Sequence, residues 1–263
     1  MSRSTRATAD QFSRQAAVYA ESASHARGDD LGVVATYAAP GPGDLCLDLA
    51  TGPGHTAACI AEAAGFVAGL DIAPGMVEVA RERAASMGRA NLVYLIGDVQ
   101  ALPFPPDAFD LVTCRIAPHH FHDVPGFVRE AARVLKPDGR LVVEDSLAPD
   151  DPPVAAFLEA LEKRRDATHV HSLSRDEWLG ACAGAGLGVV RETVYRKRHD
   201  FDLWIARTGL DTAEIAAIAR DILAAPAPVR DTLFEIEDGR VRILKDRKLI
   251  FRAERAPSRA VNS

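Results

Sequence analysis

The sequence predicts an α/β fold in which a mostly parallel sheet is covered by helices on both faces. Three observations indicate this class. Short apolar runs alternate with helix-length amphipathic segments from residue 45 onward, and Gly and Pro residues separate them. Apolar residues make up 48% of the 263 residues, which is enough for a sizeable core. Strands and helices that alternate in this way form βαβ units with parallel strands.

The N-terminal forty residues predict two helices that precede the sheet. This region is rich in alanine, and Phe12, Ala16 and Tyr19 recur near helical spacing. Residues 40–43, Pro-Gly-Pro-Gly, end the helical region because proline and glycine both disfavour a continuing helix.

Apolar runs predict five strands in the central part of the chain, at residues 45–50, 66–72, 91–96, 109–114 and 141–144. Helices are predicted between them at residues 56–64, 74–87 and 124–135. In the last of these helices, Phe127, Val128 and Ala131 share one face. The Lys-Pro-Asp-Gly run at residues 136–139 predicts a turn before the fifth strand.

The remaining residues predict more helix than strand. Helices are expected at residues 152–167 and 174–185, a strand at 187–195, a helical insertion at 201–225, and two short strands within 233–252. Asp238-Gly239 supplies the turn between the two short strands. Residues 255–263 predict a frayed tail.

The most informative motif lies between the first strand and its helix. Gly52 and Gly54 let the backbone approach a ligand closely, and the following helix N-terminus offers unpaired N–H groups. Together with Ala57 they match the dinucleotide fingerprint G-x-G-x-x-G/A. From this turn alone, a nicotinamide dinucleotide and S-adenosylmethionine (SAM) are about equally compatible.

Acidic residues in or after the first three strands favour SAM. Asp48 precedes Gly52, where an acid is unfavourable for a pyrophosphate but can offset the positive charge of SAM, directly or through water. Asp71 can accept hydrogen bonds from both ribose hydroxyls. Asp98 can accept one from the adenine amino group, with Val99 against the ring. The alternative is that each acid merely caps a helix or turn. The presence of an acid at each of three successive strands makes this alternative less favoured.

The chain resembles class I SAM-dependent methyltransferases of the ubiquinone/menaquinone-biosynthesis group, methyltransferase type 11. The matching segments are residues 45–54, 67–76 (VAGLDIAPGM), 96–104 (IGDVQALPF), 109–121 (FDLVTCRIAPHHF) and 128–139 (VREAARVLKPDG). The resemblance covers residues 45–147 well and the N-terminal helix loosely. It implies a Rossmann-like seven-stranded sheet, mostly parallel, whose antiparallel last strand would be residues 243–252.

The same resemblance implies methyl transfer from SAM to a small-molecule acceptor by in-line displacement. Carried over residue by residue, the cofactor-binding positions are Asp48, Ala50, Gly52, Gly54, Asp71, Ile72, Met76, Asp98, Val99 and Arg115. Ala50 stands where the family's loop usually has its first glycine, a common variant in the group.

A histidine-rich run follows the fourth strand and is expected to face the acceptor. His119 or His120 could be a general base, because imidazole titrates near neutral pH. The alternative is that His120 only hydrogen-bonds to the backbone. A metal site that also uses His122, His169 and His171 is less favoured, and no resident metal is predicted.

The run resembles a subgroup with the pattern CRIA-x-HHF and a later RD-x-x-H, here residues 165–169. The alternative role for RD-x-x-H is to close the domain by an ion pair. The candidate acceptor-side residues are Tyr19, His120, Arg165, His169 and Trp204.

The predicted domain organisation has four parts: an N-terminal helical cap (residues 1–40), a SAM-binding core (41–150), the C-terminal part of the sheet (151–255) and a flexible tail (256–263). The helical insertion at 201–225 is a candidate substrate lid. Its large apolar residues, with Phe12 and Tyr19, could close over a hydrophobic molecule. The alternative is that they are core. The lid residues in question are Phe201, Leu203, Trp204 and Ile205.

Composition narrows the function further. A net charge of −6 argues against a general nucleic-acid binder, and no NPPY-type run follows the fourth strand. The four cysteines form no CxxC pair, and no apolar run reaches the ~18 residues that span a bilayer. We therefore expect a cytoplasmic enzyme with a small-molecule partner, no nucleic acid, no membrane span and a possible homodimer.

Three alternative functions stay open at this point. One is a SAM-dependent enzyme that catalyses cyclisation or decarboxylation instead of methylation. Another is a nicotinamide-dependent oxidoreductase, which Asp48 and an antiparallel last strand disfavour. The third is a non-catalytic SAM-binding protein.

Overall fold

The structure is a computed structural model that describes residues 3–21, 28–206 and 208–255. Within these residues the elements are, in chain order, α1 (Arg3–Glu21), α2 (Asp29–Ala38), β1 (Leu45–Leu49), α3 (His55–Ile60), β2 (Phe66–Asp71), α4 (Pro74–Ser86), β3 (Leu92–Ile96), β4 (Phe109–Arg115), a 3₁₀ turn (Pro118–His120), α5 (Val124–Val134), β5 (Leu135–Ser146), α6 (Pro152–Arg165), α7 (Arg175–Gly184), β6 (Leu187–Asp200), α8 (Phe201–Ala206), α9 (Thr212–Ala224), α10 (Ala227–Leu233), β7 (Phe234–Glu237) and β8 (Arg240–Arg255). The predicted tail, residues 256–263, lies outside the described residues.

The strands form one sheet in the order β3-β2-β1-β4-β5-β8-β6, and the short β7 pairs with β8 off this path. Strands β1 to β5 pair in parallel, whereas β8 runs antiparallel to β5 and β6. The predicted α/β class and the antiparallel last strand are therefore confirmed. The described sheet has eight strands rather than seven, because β7 adds a short hairpin to β8.

Helices cover both faces of the sheet, as β1 illustrates. Leu47 and Leu49 pack on one face in a cluster with residues of α5 and α7. Cys46 packs on the opposite face in a cluster with residues of α2, α3 and α4. This two-sided burial explains why the strand is an almost continuous apolar run.

Two features of the sheet differ from the sequence prediction. The turn predicted at residues 136–139 is an excursion within β5, because Leu135 pairs with Phe109 while Arg140 pairs with Leu111. Strand β6 continues to Asp200, and β8 is a single long strand of 16 residues. The two strands pair with each other along this length, so their backbone groups are satisfied despite many charged side chains.

The insertion predicted at residues 201–225 consists of α8 and α9. With α6 and α10 they enclose a small separate core. Phe201 and Ile205 are buried in that core, and Leu203 is 67% exposed. Among the predicted lid side chains on α8, Trp204 alone also borders a cavity. None of the described helices is long and apolar enough to cross a bilayer.

Candidate active site

Two cavities with common walls lie at the carboxyl edge of the sheet. The first has a volume of about 1070 Å³, including its open mouth, and is bordered by the turns after β1, β2 and β3. The second, of about 780 Å³, is bordered by the turn after β4 and by α6, α8, β6 and β8. Phe12, Tyr19, Ile116 and His120 line both cavities.

The turn after β1 has an unusual backbone. Ala50, Gly52 and Gly54 all have positive φ angles, of 50°, 54° and 81°. A Cβ added at Gly52 would meet no protein atom within 4 Å, so the turn leaves open space for a ligand there. A Cβ at Gly54 would instead overlap the Tyr94 ring and hydroxyl. Gly54 is therefore required by packing, and Gly52 by conformation and access.

Asp48 lies beneath this turn and is 1% exposed. Its two oxygens accept hydrogen bonds from the Thr51 hydroxyl at 2.6 Å and the Thr113 hydroxyl at 2.7 Å. Burial raises the pKa of Asp48 to about 6, since both of these partners are neutral. The two threonine contacts were not anticipated from the sequence.

Asp71 connects the end of β2 to the glycine turn. Its carboxylate accepts the Gly52 N–H at 2.8 Å and the Ala73 N–H at 2.9 Å. Asp98 accepts the Gln100 N–H at 3.0 Å in the turn after β3. Both acids therefore accept backbone N–H groups of turns, which is the capping role considered as the alternative to ligand binding. Both also line the first cavity, so they remain accessible to a ligand.

All the predicted cofactor residues except Gly54 line the first cavity. Gly54 is instead the N-cap of α3. The cavity also includes residues that the sequence prediction did not assign to the cofactor, from α1 and α3: Thr5, Thr8, Phe12, Tyr19, His55 and Thr56. The sequence signal that could have placed α1 at this cavity is the near-helical spacing of its aromatic residues, Phe12 and Tyr19.

Arg115, at the end of β4, forms a buried ion pair with Asp30 and donates to the Thr56 hydroxyl at 3.0 Å. The other Asp30 oxygen lies 3.2 Å from Nζ of Lys197, which lines the second cavity. Burial acts to raise the pKa of Asp30, but the two cations outweigh it and lower the pKa. One buried carboxylate thus joins the walls of both cavities.

Ile116 separates the two cavities and has a positive φ of 53°. This backbone conformation is unfavourable for a β-branched residue. Its N–H donates to the Glu144 carbonyl at 2.8 Å, which holds the chain in this path. Such strain is typical of functional sites, where the surrounding structure imposes it.

His119 is paired with Asp145, a buried residue near the end of β5. One Asp145 oxygen accepts the His119 backbone N–H at 2.7 Å, and the other lies 2.6 Å from the imidazole Nδ1. Burial disfavours a charged imidazole, but the Asp145 carboxylate outweighs it and raises the pKa of His119. Asp145 was not predicted from the sequence, although Glu144 and Asp145 form an acidic pair near the end of a predicted strand.

His120 has neutral neighbours at its Nδ1 atom. This nitrogen lies 3.1 Å from the Thr168 carbonyl, which only accepts, so we assign the proton to Nδ1. Burial and the neighbouring His119 hold the pKa of His120 well below its ordinary value. His120 therefore makes a hydrogen bond to the backbone carbonyl of Thr168, which is the alternative to base catalysis considered for this residue.

The RD-x-x-H run makes several separate contacts. Asp166 accepts hydrogen bonds from the Thr168 hydroxyl at 2.7 Å and from Gln11 of α1 at 3.0 Å. Arg165 pairs with Glu162 on α6. His169 lies 3.2 Å from a Glu159 oxygen. The guanidinium of Arg165 also stacks over Trp204, at 4.4 Å from the ring centre.

All five predicted acceptor-side residues line the second cavity. The structure adds ionisable residues that were not predicted from the sequence, namely Glu162, Lys197, His199, Asp246 and Lys248. Four of them lie on β6 and β8, which extend beyond the carboxyl edge of the parallel strands. Among the described residues, no group of three or more His, Cys, Asp or Glu side chains is arranged to hold a metal ion.

Comparisons with known proteins agree with this architecture. The model of the methyltransferase domain family matches residues 47–143. YcgJ of Bacillus subtilis, an uncharacterised methyltransferase, is 36% identical over 221 residues, covering 84% of this chain and 87% of the relative. Its crystal structure has a TM-score of 0.81 at 32% identity and covers 86% of this chain and 98% of that chain.

Two further proteins extend the comparison. A crystal structure of a Bacillus halodurans protein has a TM-score of 0.84 at 31% identity, covering 87% of this chain and 99% of that chain. Demethylmenaquinone methyltransferase of Thermus thermophilus is 43% identical over 113 residues, which are 42% of this chain and 50% of that enzyme. With the sheet order and the glycine turn, these relatives show that the chain belongs to the class I methyltransferases of the type 11 family.

Proposed function

We propose that the protein transfers a methyl group from SAM to a small-molecule acceptor. The observation that carries this proposal is the first cavity, where Gly52, Asp71 and Asp98 border one space at the carboxyl edge of the sheet. This edge is where ligands of such sheets bind. The buried carboxylate of Asp48 beneath the glycine turn would repel a pyrophosphate, so this site suits SAM better than a dinucleotide.

The residues present are compatible with SAM along its length. Asp71 would accept hydrogen bonds from the ribose hydroxyls, because each of its oxygens has capacity beyond the one backbone N–H it already accepts. Asp98 would accept one from the adenine amino group, with Val99 and Ile72 as apolar neighbours of the ring system. When bound, SAM supplies a methyl group already activated on a sulfonium.

The remaining task of the protein is to position the acceptor and to exclude water. The second cavity shares Ile116 and His120 with the first, so an acceptor there would lie beside the donor. Phe12 and Tyr19 of α1 border both cavities and limit access of water. Positioning alone can supply up to ~7–11 kcal/mol of the barrier reduction for an in-line displacement.

Calorimetry with S-adenosylhomocysteine (SAH), the demethylated product, tests the donor half. We expect the folded protein to bind SAH and not NADH. Asp71→Asn should weaken SAH binding at least tenfold, because a charged acceptor is lost and a buried N–H faces an amide donor. Asp138→Ala, in the exposed excursion of β5, is the matched control and should bind like the wild type. A folded protein that does not bind SAH would contradict the proposal.

Mass spectrometry with methyl-deuterated SAM tests the transfer itself. We expect the label to appear in a small molecule when the protein is incubated with a cell extract. Conversion of an extract compound without the label would support a SAM-dependent cyclase or decarboxylase instead.

A further inference from the structure

Resting on the proposed function, we infer that the second cavity binds the acceptor, that the acceptor is a compact polar molecule with a weakly acidic hydroxyl, and that His119, oriented by Asp145, removes its proton. Three features of the structure carry this inference: the charge content of the cavity, the pairing of His119 and the contrast with His120.

The lining of the second cavity is rich in ionisable side chains. Of its fifteen described lining residues, ten are His, Asp, Glu, Lys or Arg. Lys248 and Asp246 form an ion pair at 2.6 Å, both side chains are buried, and Lys248 also donates to Ser146 at 2.7 Å. A long hydrocarbon chain placed against these groups would remove their remaining water without returning hydrogen bonds. A compact polar acceptor avoids this cost.

Aromatic side chains also line the second cavity, namely Trp204, Tyr19 and Phe12. A planar or aromatic acceptor could pack against one of these rings while its hydroxyl reaches a polar group. We therefore expect the acceptor to be a small ring that carries polar substituents.

His119 has the geometry of an oriented base. One oxygen of Asp145 lies 2.6 Å from Nδ1 of His119, and the other accepts the backbone N–H of His119 at 2.7 Å. The ring and the main chain of His119 are therefore fixed together. With the proton on Nδ1, Nε2 is left as the acceptor. His119 lines the second cavity and not the first, which is where a base for the acceptor is needed.

The charged and titratable groups that face His119 come from several elements. Besides Asp145, they are Lys248 of β8, Glu162 of α6, and the rings of His120 and His169 at 4.1 and 5.6 Å. His120 lacks an equivalent partner, because its Nδ1 lies against the neutral oxygens of Thr168. A protonated imidazole is therefore stabilised at position 119 and disfavoured at position 120.

The acceptor O–H bond breaks and its proton goes to Nε2 of His119. The oxygen forms its bond to the methyl carbon, the methyl–sulfur bond breaks, and that electron pair stays on sulfur to leave SAH. His119 then returns the proton to water, so the reaction releases one proton overall. A neutral amine acceptor would need no such base.

Nuclear magnetic resonance of histidine-labelled protein saturated with SAH tests the base. The His119 imidazole, assigned by its loss in His119→Gln, should titrate above the ordinary histidine pKa, and Asp145→Asn should lower that pKa. His171→Gln, at an exposed histidine that also has carboxylate partners, is the matched control and should leave the His119 titration unchanged. If Asp145→Asn does not fold, Glu162→Gln should lower the pKa of His119 through loss of a facing negative charge. A His119 pKa at or below the ordinary value, or one that neither variant changes, would overturn the assignment.

The same labelled sample tests the acceptor class with three probes. Resorcinol should shift the His119 resonances saturably, and 1,3-dimethoxybenzene, which lacks the hydroxyl protons, should bind at least tenfold more weakly. 4-Hexylresorcinol should bind no more tightly than resorcinol. Tenfold tighter binding of the hexyl compound, equal binding of the dimethoxy compound, or no saturable shift with resorcinol would each contradict the proposed class. SAH binding is measured first. A negative result with the three probes is therefore distinguishable from failure of the methyltransferase proposal.

Discussion

Asp48 and Asp145 are both almost fully buried, yet their surroundings act on them in opposite directions. Asp48 accepts hydrogen bonds from the hydroxyls of Thr51 and Thr113. These contacts and the charge of Arg115 lower its pKa, but burial outweighs them and raises the pKa to about 6. At Asp145 burial acts in the same direction, but the imidazole of His119 outweighs it and lowers the pKa. The charge of the nearest partner, rather than the depth of burial, decides the ionisation of each acid.

The raised pKa of Asp48 predicts that the affinity for SAM depends on pH. If Asp48 offsets the positive charge of SAM, the cation favours the ionised carboxylate. The affinity should therefore rise as the pH increases through about 6. Below that pH the loss can reach about tenfold per pH unit. Calorimetry between pH 5 and 8 measures it.

Two controls isolate the effect of Asp48. SAH lacks the sulfonium charge and should show a smaller pH dependence than SAM. Asp48→Asn cannot ionise and should give a flat SAM profile in this range. Identical profiles for SAM with wild type and variant would show that Asp48 does not act on the cofactor charge.

At the scale of elements, α1 lies over both cavities and is attached to the walls of each. Gln11 donates to Asp166 at 3.0 Å on the acceptor side. On the cofactor side, the Gly75 N–H donates to the Ser13 hydroxyl at 3.2 Å, and His55 Nε2 lies 3.4 Å from the Tyr19 carbonyl. The helix therefore connects the two halves of the site.

Ligand binding should slow hydrogen exchange in α1. The inner side chains of this helix line the first cavity, so SAH would be enclosed beneath it and would have to leave before α1 opens. With SAH at 100 times its Kd, exchange should slow by up to about 100-fold, equivalent to about 2.7 kcal/mol. Hydrogen-exchange mass spectrometry measures this. The control is α9, which packs in the separate C-terminal core and should not respond. An equal response of α1 and α9 would contradict the enclosure.

At the scale of the whole molecule, the free energy of unfolding should depend on His55. Its Nδ1 lies 3.0 Å from an Arg83 guanidinium nitrogen, and burial together with that charge lowers its pKa to about 4. In the unfolded chain, the imidazole of His55 takes up a proton near pH 6.5. The folded pKa is the lower one, so the stabilisation is complete above pH 6.5 and is lost as the pH falls toward 4. The slope is at most about 1.4 kcal/mol per pH unit.

Urea denaturation of wild type and His55→Gln between pH 4.5 and 7.5 checks this. The difference in unfolding free energy between the two proteins should shrink below pH 6.5. Asp48 contributes with the opposite sign, since its raised pKa favours folding as the pH falls below about 6. That contribution cancels when the two proteins are compared. A difference that stays constant with pH would contradict the assigned state of His55.

Local sequence signals predicted the elements whose residues are close along the chain. Apolar runs located β1 to β4, and Ser174 correctly marked the start of α7, where it forms a capping box with Glu177. Patterns failed where pairing with a distant strand supplied the hydrogen bonds. The polar ends of β6 and β8 resemble loops in isolation but satisfy each other across the sheet.

By itself, the sequence determined the α/β class, the glycine turn and the strand-end residues of the first cavity, because these depend on periodicity and on strand ends that share one edge. Only the tertiary structure decided what the two adjacent histidines can do. Asp145 lies 26 residues from His119, and Thr168 lies 48 residues from His120. No local pattern shows which imidazole meets a carboxylate and which meets a carbonyl. Their different acid–base character therefore arises from long-range packing that brings β5 and the end of α6 to the same 3₁₀ turn.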